Sequence, residues 1–125
     1  MAGSSDSYHE PMDKLSSTTQ DMHRAIVSLQ EELEAVDWYQ QRADACEDSE
    51  LKAILLHNMR EEIEHAAMVL EWLRRRHPDF ERNLRTYLFK EQPILEIEAV
   101  DMGRTTPSAE SSQQKGLTVG AMKGD

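Results

Sequence analysis

The chain has 125 residues, of which 24 are acidic and 14 basic, giving a formal net charge of −10. That length allows at most one domain, and an acidic surface repels phosphate backbones and anionic lipids while it attracts cations, which argues against nucleic-acid and membrane partners. No apolar run is long enough to span a bilayer, and residues 1–10 lack the apolar core of a signal peptide, so we expect a soluble cytoplasmic protein. Cys46 is the only cysteine, so no intrachain disulfide can form.

The first predicted elements are an arm and a long helix. Residues 1–15 show no sustained hydrophobic period, which indicates a flexible N-terminal arm. Ser17 and Gln20 have the spacing of a Ser-x-x-Gln capping box, which predicts the start of a helix. This helix is expected to run to about Ala45, because no glycine or proline interrupts it.

A second long helix follows an acidic turn. The cluster Glu47–Glu50 places negative charge at a helix N-terminus, where the helix dipole favours it. The helix is predicted from about Ser49 to Arg76, and Pro78 ends it. Each helix has about 28 residues and is roughly 40 Å long. Because the link between them is short, they must form an antiparallel hairpin.

The C-terminal part is predicted to contain shorter elements. A third helix is expected over about 79–90, and Pro93 separates it from a last helical piece at about 94–100. The helical domain therefore comprises residues 16–100. From 101 to 116 the composition is that of a flexible linker. The final segment, 117–125, contains a small apolar island.

Glu62 lies at the centre of the apolar face of the second helix. On a helical wheel at about 100° per residue, six apolar residues fall within about 60° of its direction, and His65 lies beside it. These apolar residues are Leu51, Leu55, Met59, Ala66, Val69 and Leu73.

Glu32 has the same position on the first helix. Its neighbours within about 60° on the wheel are again mostly apolar. Burial of an unpaired charge is costly, so each carboxylate needs a compensating partner. The neighbours are Ala25, Leu29, Ala35, Val36, Tyr39 and Ala43.

Two kinds of partner are compatible with this pattern. One is a basic side chain, and Arg24, Arg42 and Arg76 lie near the edge of the seam, although none lies near its centre. The other is a divalent cation held by Glu32, Glu62 and the histidine three residues later. Two carboxylates and an imidazole suit iron, manganese or zinc, whereas calcium and magnesium prefer oxygen ligands alone.

The number of ligands predicts the architecture. Glu62-x-x-His65 has the spacing found in ferritin-like di-iron proteins, where two such motifs and two further glutamates project into a four-helix bundle. With Glu32, the chain supplies half of that set. We therefore predict an all-α fold, with an antiparallel two-helix hairpin plus a short C-terminal helix. Two such chains are expected to pair about a two-fold axis and form a ferritin-like four-helix bundle.

An acidic stripe on the first helix has two interpretations. Glu31, Glu34 and Trp38 share one side of the helix outside the apolar face. They form either an ordinary solvated face or a metal-capture site that feeds the central carboxylates. Tyr39 points toward the Glu32 side, where it is either a core tyrosine or a hydrogen-bond donor to a ligand carboxylate.

Several segments of the helical part resemble the encapsulated ferritins. The resemblance is carried by Glu31–Tyr39 and Glu61–Met68, continues through Leu70–Arg75 and Leu84–Phe89, and covers about 22–99.

This resemblance implies a ligand set and an assembly. Glu32, Glu62 and His65 would be the ligands of a ferroxidase site that holds two iron ions at the interface of two subunits. Five such dimers would form an open ring, which is a homodecamer.

The tail has its own resemblance. Leu117, Thr118, Val119 and Gly120 resemble the peptide that loads cargo into encapsulin shells, and Met122 keeps a following apolar position. One basic residue of the usual pattern is missing, which implies weaker docking. The alternative is an unstructured tail with chance apolar residues.

The predicted function follows from both resemblances. The protein would oxidise Fe(II) to Fe(III) with dioxygen and supply iron for storage inside an encapsulin nanocompartment in the cytoplasm. Two alternatives are a non-catalytic iron-binding protein and a structural cargo protein whose acidic residues only set the register of the dimer.

Overall fold

The computed structural model describes residues 7–103, which form helices and no strand. A short 3-10 helix at Met12–Lys14 precedes four α-helices, and the all-α prediction is confirmed. None of the helices in this part of the chain is long and apolar enough to cross a membrane. The predicted linker beyond residue 103 and the apolar island at 117–122 lie outside the described residues. The helices are α1 (Ser17–Ala45), α2 (Ser49–Arg76), α3 (Pro78–Tyr87) and α4 (Ile94–Asp101).

The N-terminus of α1 is capped one residue earlier than predicted. Ser16 Oγ accepts a hydrogen bond from the backbone N–H of Thr19 at 3.1 Å, which satisfies one of the free donors of the first turn. The Gln20 side chain donates to the Leu15 carbonyl at 3.2 Å and makes no capping box with Ser17. The predicted box is wrong because Ser16, and not Ser17, has the extended backbone that a capping residue needs.

The two long helices form the predicted antiparallel hairpin. Only Cys46–Asp48 separates them, and Asp48 caps α2 by accepting from the Leu51 backbone N–H at 2.8 Å. The hairpin ends at Arg76, as predicted. Pro78 then opens α3 at its first position, where the missing N–H of a proline costs nothing.

The chain divides into two compact units, and the first contains the described residues 7–81. In this unit, an ion-pair network holds the C-terminal end of α2. Arg74 donates from Nε and Nη2 to the two carboxylate oxygens of Glu71, each at 2.7 Å, and also bonds Glu81 at the start of α3. Arg75 donates to Glu71 at 2.7 Å. The hydrogen bonds from Arg74 and then Arg75 lower the pKa of Glu71 to about 2, so this carboxylate stays ionised.

The second unit, residues 82–103, contains the rest of α3 and all of α4. The predicted end of the third helix near residue 90 is wrong, since α3 stops at Tyr87. Phe89 adopts a left-handed backbone conformation with φ of 60°, which a continuing helix does not allow. Lys90 Nζ donates to the Arg85 carbonyl at 2.6 Å and so satisfies one of the free acceptors at this end.

Few side chains of the described residues are fully buried. Ala43, Ala66 and Leu73 are the buried apolar residues of the hairpin. Leu51, predicted on the core face, remains 48% exposed, and Ile54 remains 51% exposed. A hairpin of two helices therefore leaves apolar surface uncovered along its edges, as expected of a chain that associates with others.

Candidate metal centre

The side chains of Glu32, Glu62 and His65 meet between α1 and α2. Each offers one ligand atom, and these atoms all lie within 4.8 Å of one another. His65 Nδ1 is 3.6 Å from Glu32 Oε1 and 3.5 Å from Glu62 Oε1. The structure therefore brings together the three residues that the sequence predicts as ligands.

The topology of the hairpin explains this convergence. Glu32 and Glu62 lie equally far from Glu47, the middle residue of the link, so antiparallel pairing sets them side by side. His65 follows Glu62 by three residues, which places it on the same side of α2. Backbone geometry alone is thus sufficient to assemble the cluster from one residue of α1 and two of α2.

The cluster is less buried than the helical wheel suggests. In the single chain the side chains of Glu32 and Glu62 are 26% and 25% exposed, and that of His65 is 43% exposed. The reason is that only two helices surround them, whereas the wheel treats the apolar face as fully covered. One side of the cluster is therefore open.

The electrostatics of the cluster are dominated by its two carboxylates. A hydrogen bond with Glu62 is the main cause that raises the pKa of Glu32, and partial burial and repulsion from Glu62 act in the same direction. His65 opposes this rise through its charge and a hydrogen bond. A carboxyl group must be deprotonated to act as a metal ligand, so the raised pKa of Glu32 means that a metal ion competes with a proton for this group.

The arginines that the sequence offers as alternative partners are engaged elsewhere. Arg24 Nη1 bonds the Asp21 carboxylate at 2.5 Å. Arg42 lies over the ring of Tyr39, and Arg76 over the ring of Trp72. Among residues 7–103, the one basic side chain within ion-pair distance of the two central carboxylates is the histidine of the cluster. The geometry thus favours the metal interpretation over the ion-pair interpretation.

The acidic stripe of α1 stays apart from the cluster. Glu31 is exposed, Glu34 is half-buried, and Trp38 is 43% exposed. The described part of the chain contains one group of three potential metal-ligating residues, and the stripe contributes none of them. The Tyr39 hydroxyl makes no hydrogen bond with Glu32 in this part of the chain, so its predicted role as a donor stays a prediction.

A shallow groove beside the cluster was not predicted from the sequence. It has a volume of about 370 Å³ and opens between α1 and α2, on the side of α2 that carries His65. The available signal was the spacing of Met68 and Trp72, three and seven residues after His65. The groove is lined chiefly by Arg24, Ala25, Ser28, Met68, Val69 and Trp72.

Known proteins share this sequence and fold. The EncFtn-like family matches residues 7–91. The chain is 53% identical to an encapsulated ferritin-like protein of Rhodospirillum rubrum, over all of this chain and 94% of the relative. It is 32% identical to the encapsulin nanocompartment cargo protein EncC of Myxococcus xanthus, over 85% of this chain and 88% of the relative.

Two further comparisons extend the similarity. A ferritin-like protein of Thermotoga maritima is 52% identical over 78% of this chain and 86% of its own length. A crystal structure of a Nitrosomonas europaea protein superposes with a TM-score of 0.68 at 63% identity, covering 70% of this chain and 96% of the other.

The raised pKa of Glu32 predicts a stability change with a defined sign. At a pH above the pKa that Glu32 has in the folded chain, ionisation of this carboxyl group lowers the free energy of unfolding of the metal-free protein. This destabilisation disappears as the pH falls below 4.5, the ordinary pKa of a glutamate. The Glu32→Gln protein should therefore have a higher melting temperature than wild type near pH 7 without metal. The gain in the free energy of unfolding should be at most about 1 kcal/mol, because the site is only partly buried. The advantage should shrink as the pH falls toward 4.5, in thermal melts at fixed subunit concentration.

Glu64→Gln is the matched control for this measurement. Glu64 is exposed on α2 and makes no ion pair among residues 7–103. Its substitution should leave the melting temperature nearly unchanged at each pH. A Glu32→Gln protein that melts below wild type near pH 7 would show that the carboxylate stabilises the metal-free fold.

Proposed function

The chain belongs to the EncFtn-like family, and we propose that it is a ferroxidase that oxidises Fe(II) to Fe(III) with dioxygen. The observation that carries this proposal is the convergence of Glu32, Glu62 and His65, whose ligand atoms lie within 4.8 Å of one another. Two carboxylates and an imidazole form a ligand set that suits iron. Each Fe(II) gives one electron to dioxygen when it is oxidised.

We propose that a second copy of the chain completes the site. Ferritin-like bundles hold two iron ions with four glutamates and two histidines, and one chain supplies half of them. The open side of the cluster supports this, because Glu32, Glu62 and His65 each retain a quarter or more of their exposure in the single chain. The family resemblance implies that five such dimers form a ring.

The three ligands would perform different tasks. Glu32 and Glu62 place negative charge beside the iron, which stabilises the higher charge of the ferric ion relative to the ferrous ion. Both carboxyl groups must be deprotonated to act as metal ligands, so iron would compete with protons for them. His65 presents Nδ1 to the site as a neutral ligand and limits the geometry that the carboxylates can adopt.

We also propose that the protein acts inside an encapsulin shell, within the cytoplasm. The Rhodospirillum rubrum relative is described as encapsulated, and the Myxococcus xanthus relative as a cargo protein of an encapsulin nanocompartment. The apolar island at 117–122 resembles a shell-loading peptide. An open ring has no closed cavity, so the shell would retain the oxidised iron.

Two rival functions differ from this proposal in a measurable way. A protein that only binds iron would take up Fe(II) without consuming dioxygen. A structural cargo protein would neither consume dioxygen nor bind iron at the cluster. Dioxygen uptake on addition of Fe(II), together with a count of bound iron, distinguishes all three.

The first functional prediction concerns the ligands of α2. Glu62→Ala and His65→Ala should each lower the rate of dioxygen uptake by at least about 100-fold, because loss of a direct ligand exceeds the effect of losing an outer one. Glu64→Ala, on the exposed face of the same helix, should keep the wild-type rate. Uptake that continues at the wild-type rate in either ligand variant would place iron oxidation at another site.

The second concerns the acidic stripe of α1. If Glu31 and Glu34 capture iron, their joint substitution by alanine should slow oxidation at low Fe(II), since the local concentration of cations falls. At saturating Fe(II), the amount of iron bound per dimer should equal that of wild type. Rates that match wild type at every Fe(II) concentration would support the solvated-face interpretation.

The third concerns the tail. Truncation after Ser112 removes the apolar island, so the shortened protein should retain ferroxidase activity but fail to co-purify with a co-expressed encapsulin shell protein. The full-length chain purified in parallel is the control. Normal loading of the shortened chain would assign the shell-binding signal to the residues that remain.

A further inference from the structure

We propose that His77 is a pH-sensitive junction between α2 and α3. Its neutral imidazole caps α3, and uptake of a proton by the ring releases the first turn of that helix. This inference goes beyond the proposed function and does not depend on the metal site. All the contacts that carry it lie within residues 71–81, in the first of the two units.

One residue serves both helices at this junction. The backbone N–H of His77 donates to the Leu73 carbonyl at 3.1 Å, which closes the last turn of α2. The carbonyl of His77 accepts from the Glu81 backbone N–H at 3.0 Å, which is the first hydrogen bond of α3. Because Pro78 occupies the first position of α3, His77 directly before it has the position of an N-terminal capping residue.

The side chain of His77 completes this cap. Its Nδ1 accepts a hydrogen bond from the Asp79 backbone N–H at 3.1 Å, which satisfies a free donor of the first turn. In most helices a side-chain oxygen of serine, threonine, asparagine or aspartate performs this task. The Phe80 ring packs against the imidazole in a T-shaped arrangement, with the ring centroids 5.7 Å apart, and this contact limits the rotation of His77.

Protonation of His77 is incompatible with this cap. A ring nitrogen that accepts a backbone N–H must be unprotonated, whereas both nitrogens of an imidazolium carry a proton. The dipole of α3 disfavours a cation at this place and the dipole of α2 favours one, so the lost hydrogen bond decides the direction. Because histidine changes its charge between about pH 5 and about pH 8, the cap is present at the upper end of this range and is lost as the pH falls.

The other charged groups at the junction keep their charge across this range. Hydrogen bonds from Arg74 and then Arg75 lower the pKa of Glu71 to about 2. Arginine is always protonated, and aspartate and glutamate side chains ordinarily lose their proton below about pH 5. At this level of the hairpin α1 begins with residues 17–20, which are uncharged. The charged residues of α2 and α3 nearest to the junction are Glu71, Arg74, Arg75, Arg76, Asp79 and Glu81.

The junction lies far from the candidate metal cluster. His77 follows His65 by twelve residues, so it lies about 18 Å farther along α2. Release of the first turn of α3 breaks the hydrogen bond to Asp79 and leaves Glu32, Glu62 and His65 in place. Protons therefore act on the connection between the hairpin and α3, and not on the candidate metal ligands.

Hydrogen exchange followed by mass spectrometry on the full chain tests this junction. Peptides that cover residues 78–87 should lose about fivefold of their protection between about pH 8 and about pH 5, because the loss of a capping group has an effect of that size. The protection is corrected for the intrinsic exchange rate at each pH. Peptides that cover residues 55–70 of α2 should not differ between wild type and the variants of His77.

Two substitutions of His77 separate a pH-sensitive cap from a purely structural contact. Asparagine caps helices well and takes up no proton, so His77→Asn should keep the protection of α3 from about pH 8 to about pH 5. His77→Ala has no capping group and should show weak protection of α3 throughout this range. The matched control is His57→Asn, because His57 is a 62% exposed histidine of the same helix. This control should keep the wild-type pH dependence.

The nitrogen resonances of the imidazole provide a second readout. In protein labelled with ¹⁵N-histidine, the signal absent from His77→Asn should show an unprotonated Nδ1 at about pH 8. A proton on Nδ1 at that pH would contradict the hydrogen bond from Asp79. Equal pH dependence of α3 protection in wild type and His77→Asn would overturn the proposal, as would wild-type protection that does not change with pH.

Discussion

The repulsion between Glu32 and Glu62 is the constraint on which the rest of this structure depends. The antiparallel hairpin places two carboxylates side by side in its seam, and among the described residues the basic group beside them is one histidine. A proton or a cation between the carboxylates relieves their repulsion, and the pKa of Glu32 is raised, chiefly by a hydrogen bond with Glu62. A candidate binding site for a divalent ion is thus a consequence of the fold.

The shortage of buried surface complements this constraint. The hairpin fully buries only Ala43, Ala66 and Leu73 among the residues that the structure describes, so a single chain has little core to hold the carboxylates in place. Apolar side chains remain exposed on the edge of the hairpin that carries Met68 and also on the opposite edge, where Leu33 and Ile63 lie. Two uncovered edges would allow each hairpin two neighbours, as the proposed ring of dimers requires.

The sequence predicts the parts of the structure that local chemistry determines. The ends of α1 and α2, the hairpin and the three clustered ligands all follow from caps, prolines and helical periodicity. The capping residue of α1 differs because four hydroxyl residues at 16–19 compete for one position. The early end of α3 depends on the backbone of Phe89, which periodicity does not encode.

Other features depend on distances between helices, which a wheel of one helix cannot contain. The ion pair between Arg74 and Glu81, for example, joins α2 to α3. The groove beside His65 likewise needs residues from both helices. The wheel likewise overestimates the burial of the ligands in the single chain, since two of the four helices of the predicted bundle would come from a second copy.

In the proposed dimer the site is divided between chains, so iron would act on assembly as well as being the substrate. A metal ion that binds only the paired form stabilises pairing by mass action, and the same ion removes the carboxylate repulsion that opposes pairing in its absence. Glu32 and Glu62 would therefore weaken the metal-free chain and strengthen the metal-bound dimer. The proposed active dimer would then increase with the supply of Fe(II), and the single chain with its exposed cluster would predominate when iron is scarce.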